Sequence, residues 1–229
     1  MLLYRRRERG DTAHQLNGSM EKMKVTTKAS LAATLLLASG LAQADWSANI
    51  GYASEYYYRG IFQKNSSASG GLDFESGGFY AGTWAADVGD GLEVDGYFGY
   101  GFDLGELGLS VGYTGYFYTG DFDDTYQEIN LGAGFGVFSL DVAVGEYENF
   151  DGPTQDYTYY SLTAEHNGFY GKYAGFDQDF EGSYFEFGYG TTIAEIDLGV
   201  VLIFNDEDLN GTDGTDEALL FTIGKSFDL

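Results

Sequence analysis

The 229-residue chain carries 36 acidic against 11 basic residues, no cysteine and one proline, for a formal net charge of −25. Such an acidic chain is excluded as a nucleic-acid binder, because phosphate binding needs Lys and Arg. Without cysteine there is no disulfide framework, so hydrogen bonds and packing must hold the fold.

Residues 1–22 contain Arg5, Arg6, Arg7 and Arg9 but no apolar pattern, and are read as a start-site extension ahead of Met20 or Met23. A twin-arginine signal is the alternative, although the arginines lie far from the apolar core. Residues 23–44 are read as a secretory signal peptide. Lys24 and Lys28 precede the short apolar core Leu31–Ala38, and Ala42-Gln43-Ala44 has the small-any-small form of a cleavage site. The uncharged run Ala29–Ala44 has 16 residues, fewer than the ~20 that a spanning helix requires. Residues 45–229 remain as one domain, in which Arg59, Lys64, Lys172 and Lys225 face 33 acidic residues.

Beyond residue 44 no stretch has helical periodicity, and glycine is too frequent for helix interiors. Two-residue alternation recurs instead, predicting twelve strands. Trp46–Arg59 sets Trp46, Ala48, Ile50, Tyr52, Tyr56 and Tyr58 against Ser47, Asn49, Gly51, Glu55 and Arg59. Ala68–Glu75 sets Leu72 and Phe74 against Asp73 and Glu75; Phe79–Val88 sets Tyr80, Trp84, Ala86 and Val88 against small residues and Asp87. Leu92–Phe102 is the cleanest, with Leu92, Val94, Phe98 and Tyr100 opposite Glu93, Asp95 and Tyr97. The pattern continues through Leu107–Tyr118, Tyr126–Val137, Phe138–Tyr147, Tyr157–Glu165, Phe169–Phe176, Ser183–Tyr189, Glu195–Phe204 and Leu219–Leu229.

The connections after the even-numbered strands are short, as in Ser76-Gly77-Gly78 and His166-Asn167-Gly168, where Asn-Gly is a hairpin signal. Most of the others are longer and polar: Gly60–Ser67, Gly120–Thr125, Glu148–Asp156, Asp177–Gly182 and Asn205–Asp216. Short turns at one rim and long loops at the other predict an all-β, antiparallel transmembrane barrel of 12 strands, with both termini periplasmic. The aromatic-rich face is expected to meet outer-membrane lipid. The opposite face of Gly, Ser, Thr, Asn, Asp and Glu cannot line a dry core without stranding charges, so it is expected to line a lumen.

Twelve strands at ~4.8 Å spacing and ~40° tilt give a backbone cylinder roughly 24 Å across. The expected pore-lining residues are Glu55, Arg59, Asp73, Glu75, Glu93, Asp95, Glu128, Asp141, Glu165, Glu186, Glu195 and Asp197, with Lys172 as a second cation. A ring of carboxylates favours cations. Arg59 is expected to pair with Glu55, four residues back on the same face.

Asp206, Asp208, Asn210 and Glu217 match the spacing of a calcium loop, but the flanks are strands and Asp213 stands where an apolar anchor belongs. A solvated acidic loop is the default reading, and a weak surface Ca²⁺ or Mg²⁺ site the alternative; no other cofactor is expected. The mature chain has one histidine, His166, at an expected turn, and Ser161 lies five residues away on the opposite strand face. No catalytic group is expected. The terminal stretch Thr222–Leu229, with Gly224, Phe227 and Leu229, has the form of the signal by which outer-membrane barrels engage the barrel-assembly machinery, Leu229 standing where Phe is commoner.

Three stretches also carry a family resemblance: Tyr56-Tyr57-Tyr58-Arg59-Gly60-Ile61-Phe62-Gln63, Gly70-Gly71-Leu72-Asp73-Phe74 and Gly78-Phe79-Tyr80-Ala81-Gly82-Thr83-Trp84-Ala85. They resemble the TorF-type porin family, formerly labelled conserved hypothetical proteins. The likeness extends over the mature chain with its specific motifs between Tyr52 and Tyr100, and departs at Phe62, where a small polar residue is expected. The resemblance implies a bacterial outer-membrane barrel and a pore, and supplies no substrate. The expected function is a channel for passive diffusion of small cationic or neutral solutes; the alternative is a structural or adhesive barrel with a closed lumen.

Overall fold

The computed structural model describes residues 44–209 and 217–229. The start-site extension, all but the last residue of the signal peptide and the tip of the last loop lie outside the described residues. The alternating segments form twelve strands: β1 Asp45–Tyr58, β2 Ile61–Ser76, β3 Phe79–Gly89, β4 Gly91–Leu104, β5 Leu107–Tyr118 and β6 Tyr126–Phe135. The second half supplies β7 Phe138–Tyr147, β8 Gln155–His166, β9 Phe169–Gln178, β10 Ser183–Ile193, β11 Ile196–Asn205 and β12 Glu217–Asp228. Each strand pairs antiparallel with its sequence neighbours, and β12 returns to β1, so the sheet closes into a barrel. At the seam Ser47 lies opposite Asp228 and Ala53 opposite Thr222. The Leu229 amide adds a bond to the Trp46 carbonyl at 3.0 Å.

The even-numbered strands end in two-residue turns: Gly77-Gly78, Gly105-Glu106, Gly136-Val137, Asn167-Gly168 and Ala194-Glu195. Asp45 lies opposite Glu75, so both ends of the barrel chain sit at this short-turn rim. The longer connections gather at the other rim. Outward positions are apolar and exposed around the cylinder: Ile50 is 58% exposed, Phe98 53%, Phe135 57% and Phe221 56%. Water would penalise such a continuous band; hydrocarbon does not, and a closed barrel is one of the two backbone arrangements that can stand in it.

β3 runs opposite to expectation. Ala86 and Val88 are buried, and Trp84 packs beside them against the inward Tyr56, so the even face of β3 points into the barrel. Its outward positions include Phe79 and the small residues Ala81 and Ala85. Inward aromatics obey the same two-residue period as outward ones, so period alone did not assign the face.

The larger difference lies between β1 and β2. Of the stretch from Gly60 to Ser67, expected to be a loop, all from Ile61 onward is strand, and the connection is the two-residue turn Arg59-Gly60 with φ of 50° and 83°. Two successive positive φ values give the primed turn that matches the twist of a tight hairpin. Pairing of β1 with β12 stops at Ala53, and pairing of β2 with β3 begins only at Ser69. Between those points the two arms pair with each other alone, with a register shift at Tyr56/Tyr57. The hairpin has left the wall. Tyr56 and Tyr57 are buried within the barrel, where Tyr56 and Tyr58 were expected at the lipid interface. The polar run Gln63–Ser67 pairs with β1 alone and shows no apolar alternation because its partners are polar: Ser66 Oγ lies 3.1 Å from the Tyr52 hydroxyl, and Lys64 pairs with Asp87.

Candidate functional site

The tip of this hairpin crosses the lumen. In a twelve-strand ring β7 stands diametrically opposite β1, and the tip reaches the two strands that flank β7. Arg59 Nη2 donates to Glu128 Oε1 on β6 at 2.7 Å, and Nη1 to Oε2 at 2.8 Å. The guanidinium carbon lies 4.1 Å from the ring centre of Tyr159 on β8 and 5.0 Å from that of Tyr58. The Gly60 carbonyl accepts from Asn205 Nδ2 on β11 at 2.6 Å. Five residues of β1 beyond Ala53 advance about 17 Å, and the arginine side chain covers the rest of a cylinder roughly 24 Å wide. The geometry is that of a bar across the long-loop half of the barrel.

Glycine at position 60 makes this docking feasible. Its φ of 83° suits no L side chain well, and an added Cβ would sit 2.7 Å from the Tyr184 ring. Phe62 packs edge-on against Tyr57 at 5.3 Å between ring centres, which accounts for an aromatic residue where a polar one was expected.

Wall residues receive the bar. Glu128 Oε1 also accepts from the Tyr116 hydroxyl at 2.9 Å and Asn130 Nδ2 at 2.6 Å, while Oε2 accepts from the Tyr157 hydroxyl at 2.9 Å. Glu93 Oε1 accepts from the hairpin's Tyr56 at 2.5 Å and Oε2 from Tyr118 at 3.1 Å. Lys64 pairs with Asp87, and Ser67 Oγ donates to the Asp87 carbonyl at 2.7 Å, holding the second arm against β3. Above the bar, Tyr126 stacks on Tyr147 at 4.2 Å and Tyr157 on Phe180 at 5.2 Å. Asp123 accepts from the hydroxyls of Tyr126 and Tyr147 at 2.9 and 2.7 Å. A cavity of about 60 Å³ remains among these rings, bordered by Arg59, Asp123 and Phe180.

The expected lumenal residues fall into three groups. Glu93, Asp95 and Glu128 lie beneath the bar with 1%, 9% and 2% of their surface exposed, and Asp95 Oδ1 is buried with no hydrogen-bond partner among the described residues. Asp73, Asp141, Glu186 and Asp197 lie along the inner wall. Asp73 accepts from Asn49 Nδ2 at 3.1 Å and from the Tyr97 hydroxyl, and Asp141 from Ser161 Oγ at 3.3 Å. Glu186 accepts from the Tyr170 hydroxyl at 2.5 Å and lies 3.5 Å from Lys172 Nζ. Asp197 accepts from Thr192 Oγ1 at 2.6 Å.

The rest sit elsewhere. Glu75 and Glu165 are exposed near the short-turn rim. Glu55 lies on the hairpin opposite Asn65. Arg59 therefore does not pair with it: once β1 bends inward, the tip is closer to the far wall than to its own stem. Glu195 is not on the wall but in the β10–β11 turn, at φ 63°, with Lys225 Nζ 3.0 Å from its Oε2. Lys225, on the lipid side, also lies 5.4 Å from the Phe227 ring.

Asp206 spends its carboxylate on the chain itself: Oδ2 accepts from the Ser183 amide at 2.6 Å and hydroxyl at 2.9 Å, and Oδ1 from the Asp208 amide at 3.2 Å. It serves as a clasp between two loops. Asp208 is exposed, Glu217 begins β12, and Asn210 lies outside the described residues. Ser161 and His166 are not brought together; Ser161 bonds Asp141, and His166 Nε2 faces Asn167 Nδ2 at 3.0 Å on the short-turn rim. At the closing end, Gly224 faces Gly51 and Phe227 faces Ala48. Leu229 is 74% exposed beyond the last strand.

Sequence reasoning missed the inward tyrosines. A signal was present: Tyr157 and Tyr159 share parity with Ser161, Thr163 and Glu165, and Tyr116 and Tyr118 with Ser110 and Thr114.

No curated protein matches the chain significantly. Among solved structures, a membrane protein from a study of in-meso crystallization is 14% identical, with 81% of this chain and 84% of that chain covered at a TM-score of 0.53. That likeness shows the fold. Weaker likenesses are to OccAB3 of Acinetobacter baumannii (15% identity, 79% and 60% covered, TM-score 0.41) and to outer membrane phospholipase A from Escherichia coli (10% identity, 81% and 89% covered, TM-score 0.41). A family model described as a bacterial protein of unknown function, Gcw_chp, matches residues 38–174. The closed twelve-strand wall with its lipid-facing apolar band makes the chain a barrel of the bacterial outer-membrane type, and with more than half its length matched it belongs to the Gcw_chp family.

Proposed function

We propose that the barrel is a channel for passive diffusion of small cationic or neutral solutes, with the β1–β2 hairpin as its movable constriction. The observation that carries this reading is the separation of wall from obstruction. The inner wall is a closed cylinder bearing Asp73, Asp141, Glu186 and Asp197, whereas the bar across it is a hairpin paired only with itself. Carboxylates on the wall favour cations over anions. The resemblance of Tyr56–Gln63 to the TorF-type porins points the same way, since those residues form the bar. The short-turn rim, with both chain ends, is assigned to the periplasm, and the terminal strand to recognition by the barrel-assembly machinery.

The two-point contact of Arg59 with Glu128 favours a second reading, a structural or adhesive barrel whose lumen stays closed. Planar-bilayer recording separates the two. The test compares the natural protein with a variant in which residues 55–66 are replaced by Asn-Gly. The channel reading expects rare or small conductance steps from the former and large steps from the latter. A correctly assembled variant that gives no steps would establish the closed barrel. Under a salt gradient the reversal potential should report cation preference; anion preference would sink the carboxylate argument.

A further inference from the structure

The Arg59 contact has an asymmetry between host and guest. Apart from Arg59 itself, the groups among the described residues that hydrogen-bond the Glu128 carboxylate belong to the wall: Tyr116 on β5, Asn130 on β6 and Tyr157 on β8. Tyr159, whose ring lies under the guanidinium, is on β8 as well. The hairpin contributes the guest and little of the host. We propose that this wall pocket is a guanidinium-binding site, occupied in the closed state by the chain's own Arg59, and that free guanidinium-bearing solutes compete for it and release the hairpin. Its gating consequence rests on the channel reading above.

The chemistry selects the ligand class. Two parallel N–H donors meet the two Glu128 oxygens at 2.7 and 2.8 Å while the flat cation lies over an aromatic face. A planar guanidinium satisfies both demands at once; a compact ammonium makes one point contact and cannot stack. The cavity of about 60 Å³ beside Arg59 borders Asp123 and Phe180 of the long-loop rim. That is room for about four waters, so a small solute entering from that rim reaches the guanidinium's edge.

Release is not opposed by every contact. In the closed arrangement Asp95 Oδ1 is buried with no hydrogen-bond partner among the described residues, and an opening that brought water to it would relieve that desolvation cost. The tethered Arg59 competes at an effective concentration in the millimolar range, so a free competitor is expected to act at similar concentrations.

The test uses the whole barrel in detergent and in bilayers, with guanidinium chloride as probe and sodium chloride as control. Arg59→Ala empties the pocket, and Arg59→Met does so while keeping the volume of the stem, in case the first variant assembles poorly. Low-millimolar guanidinium should raise the thermal unfolding midpoint of either variant by several degrees over sodium, through binding to the folded state. Adding Glu128→Gln should abolish the rise. In the natural protein the same guanidinium concentrations should increase open time several-fold. Equal midpoints in guanidinium and sodium for both variants would overturn the site even if the protein conducts. A guanidinium-specific rise without any conductance would uphold the site and sink the channel reading.

Discussion

Arg59 and Glu128 stand 69 residues apart in sequence and make two charge-assisted hydrogen bonds across the lumen. Glu128 has no exposed side-chain surface and Arg59 only 10%. Removing one partner of such a pair leaves a buried charge and typically costs about 3–5 kcal/mol, whereas replacing both with apolar residues of similar volume is often near neutral. Arg59→Met alone should lower resistance to urea unfolding markedly, and Arg59→Met with Glu128→Gln, which removes the buried charge but keeps an amide for the Tyr116, Asn130 and Tyr157 hydrogen bonds, should recover part of it. A double variant no more stable than the single one would contradict the pair's role.

Gly60 is the hinge of the docked tip. Gly60→Ala forces a Cβ against the Tyr184 ring at a φ that L residues avoid, a strain of about 1–3 kcal/mol. The tip should undock while the wall stays closed. Trypsin would then cut the hairpin at Arg59 or Lys64 several-fold faster than in the natural protein, with heat-modifiable gel migration unchanged. Unaltered cleavage would place the tip's hold elsewhere.

Charge selectivity should follow accessibility. Glu93 and Asp95 lie under the hairpin, while Asp73, Asp141 and Glu186 lie on the wall beyond it, partly exposed. Neutralising the latter three as Asp73→Asn, Asp141→Asn and Glu186→Gln should shift the reversal potential toward zero by more than Glu93→Gln with Asp95→Asn does. Because Glu186 also pairs with Lys172, its single replacement leaves that cation uncompensated and should shift the potential at least as far as either of the other two.

The closing strand supplies a different test. Phe227 lies opposite Ala48 within the seam, while Leu229 sits beyond it, tied by its amide alone. Phe227→Ala should sharply reduce the amount of assembled barrel in the outer membrane, and Leu229→Phe should leave it unchanged. The reverse order would place the assembly signal at the last residue.

Much of the wall was legible in the residues. β5 and β7 have the expected bounds, and most of the other strands differ only by a few residues at their ends. Asn167-Gly168 adopts the expected turn, both residues at positive φ. The misreadings cluster where lipid is absent. The aromatic side of β3 packs inside, against the rule that aromatic faces meet lipid, and Gln63–Ser67 has left the lipid-facing ladder, so nothing requires it to alternate.

By itself, then, the chain determined a closed antiparallel barrel, because hydrocarbon on one side of every wall strand imposes a two-residue period that survives in the sequence. What the lumen holds was decided only in three dimensions. Arg59, Glu128, Tyr159 and Asn205 come from β6, β8, β11 and the β1–β2 turn. Their meeting depends on strand tilt, on the closure of the ring and on the bend that takes β1 off its neighbour, and none of these leaves a local pattern.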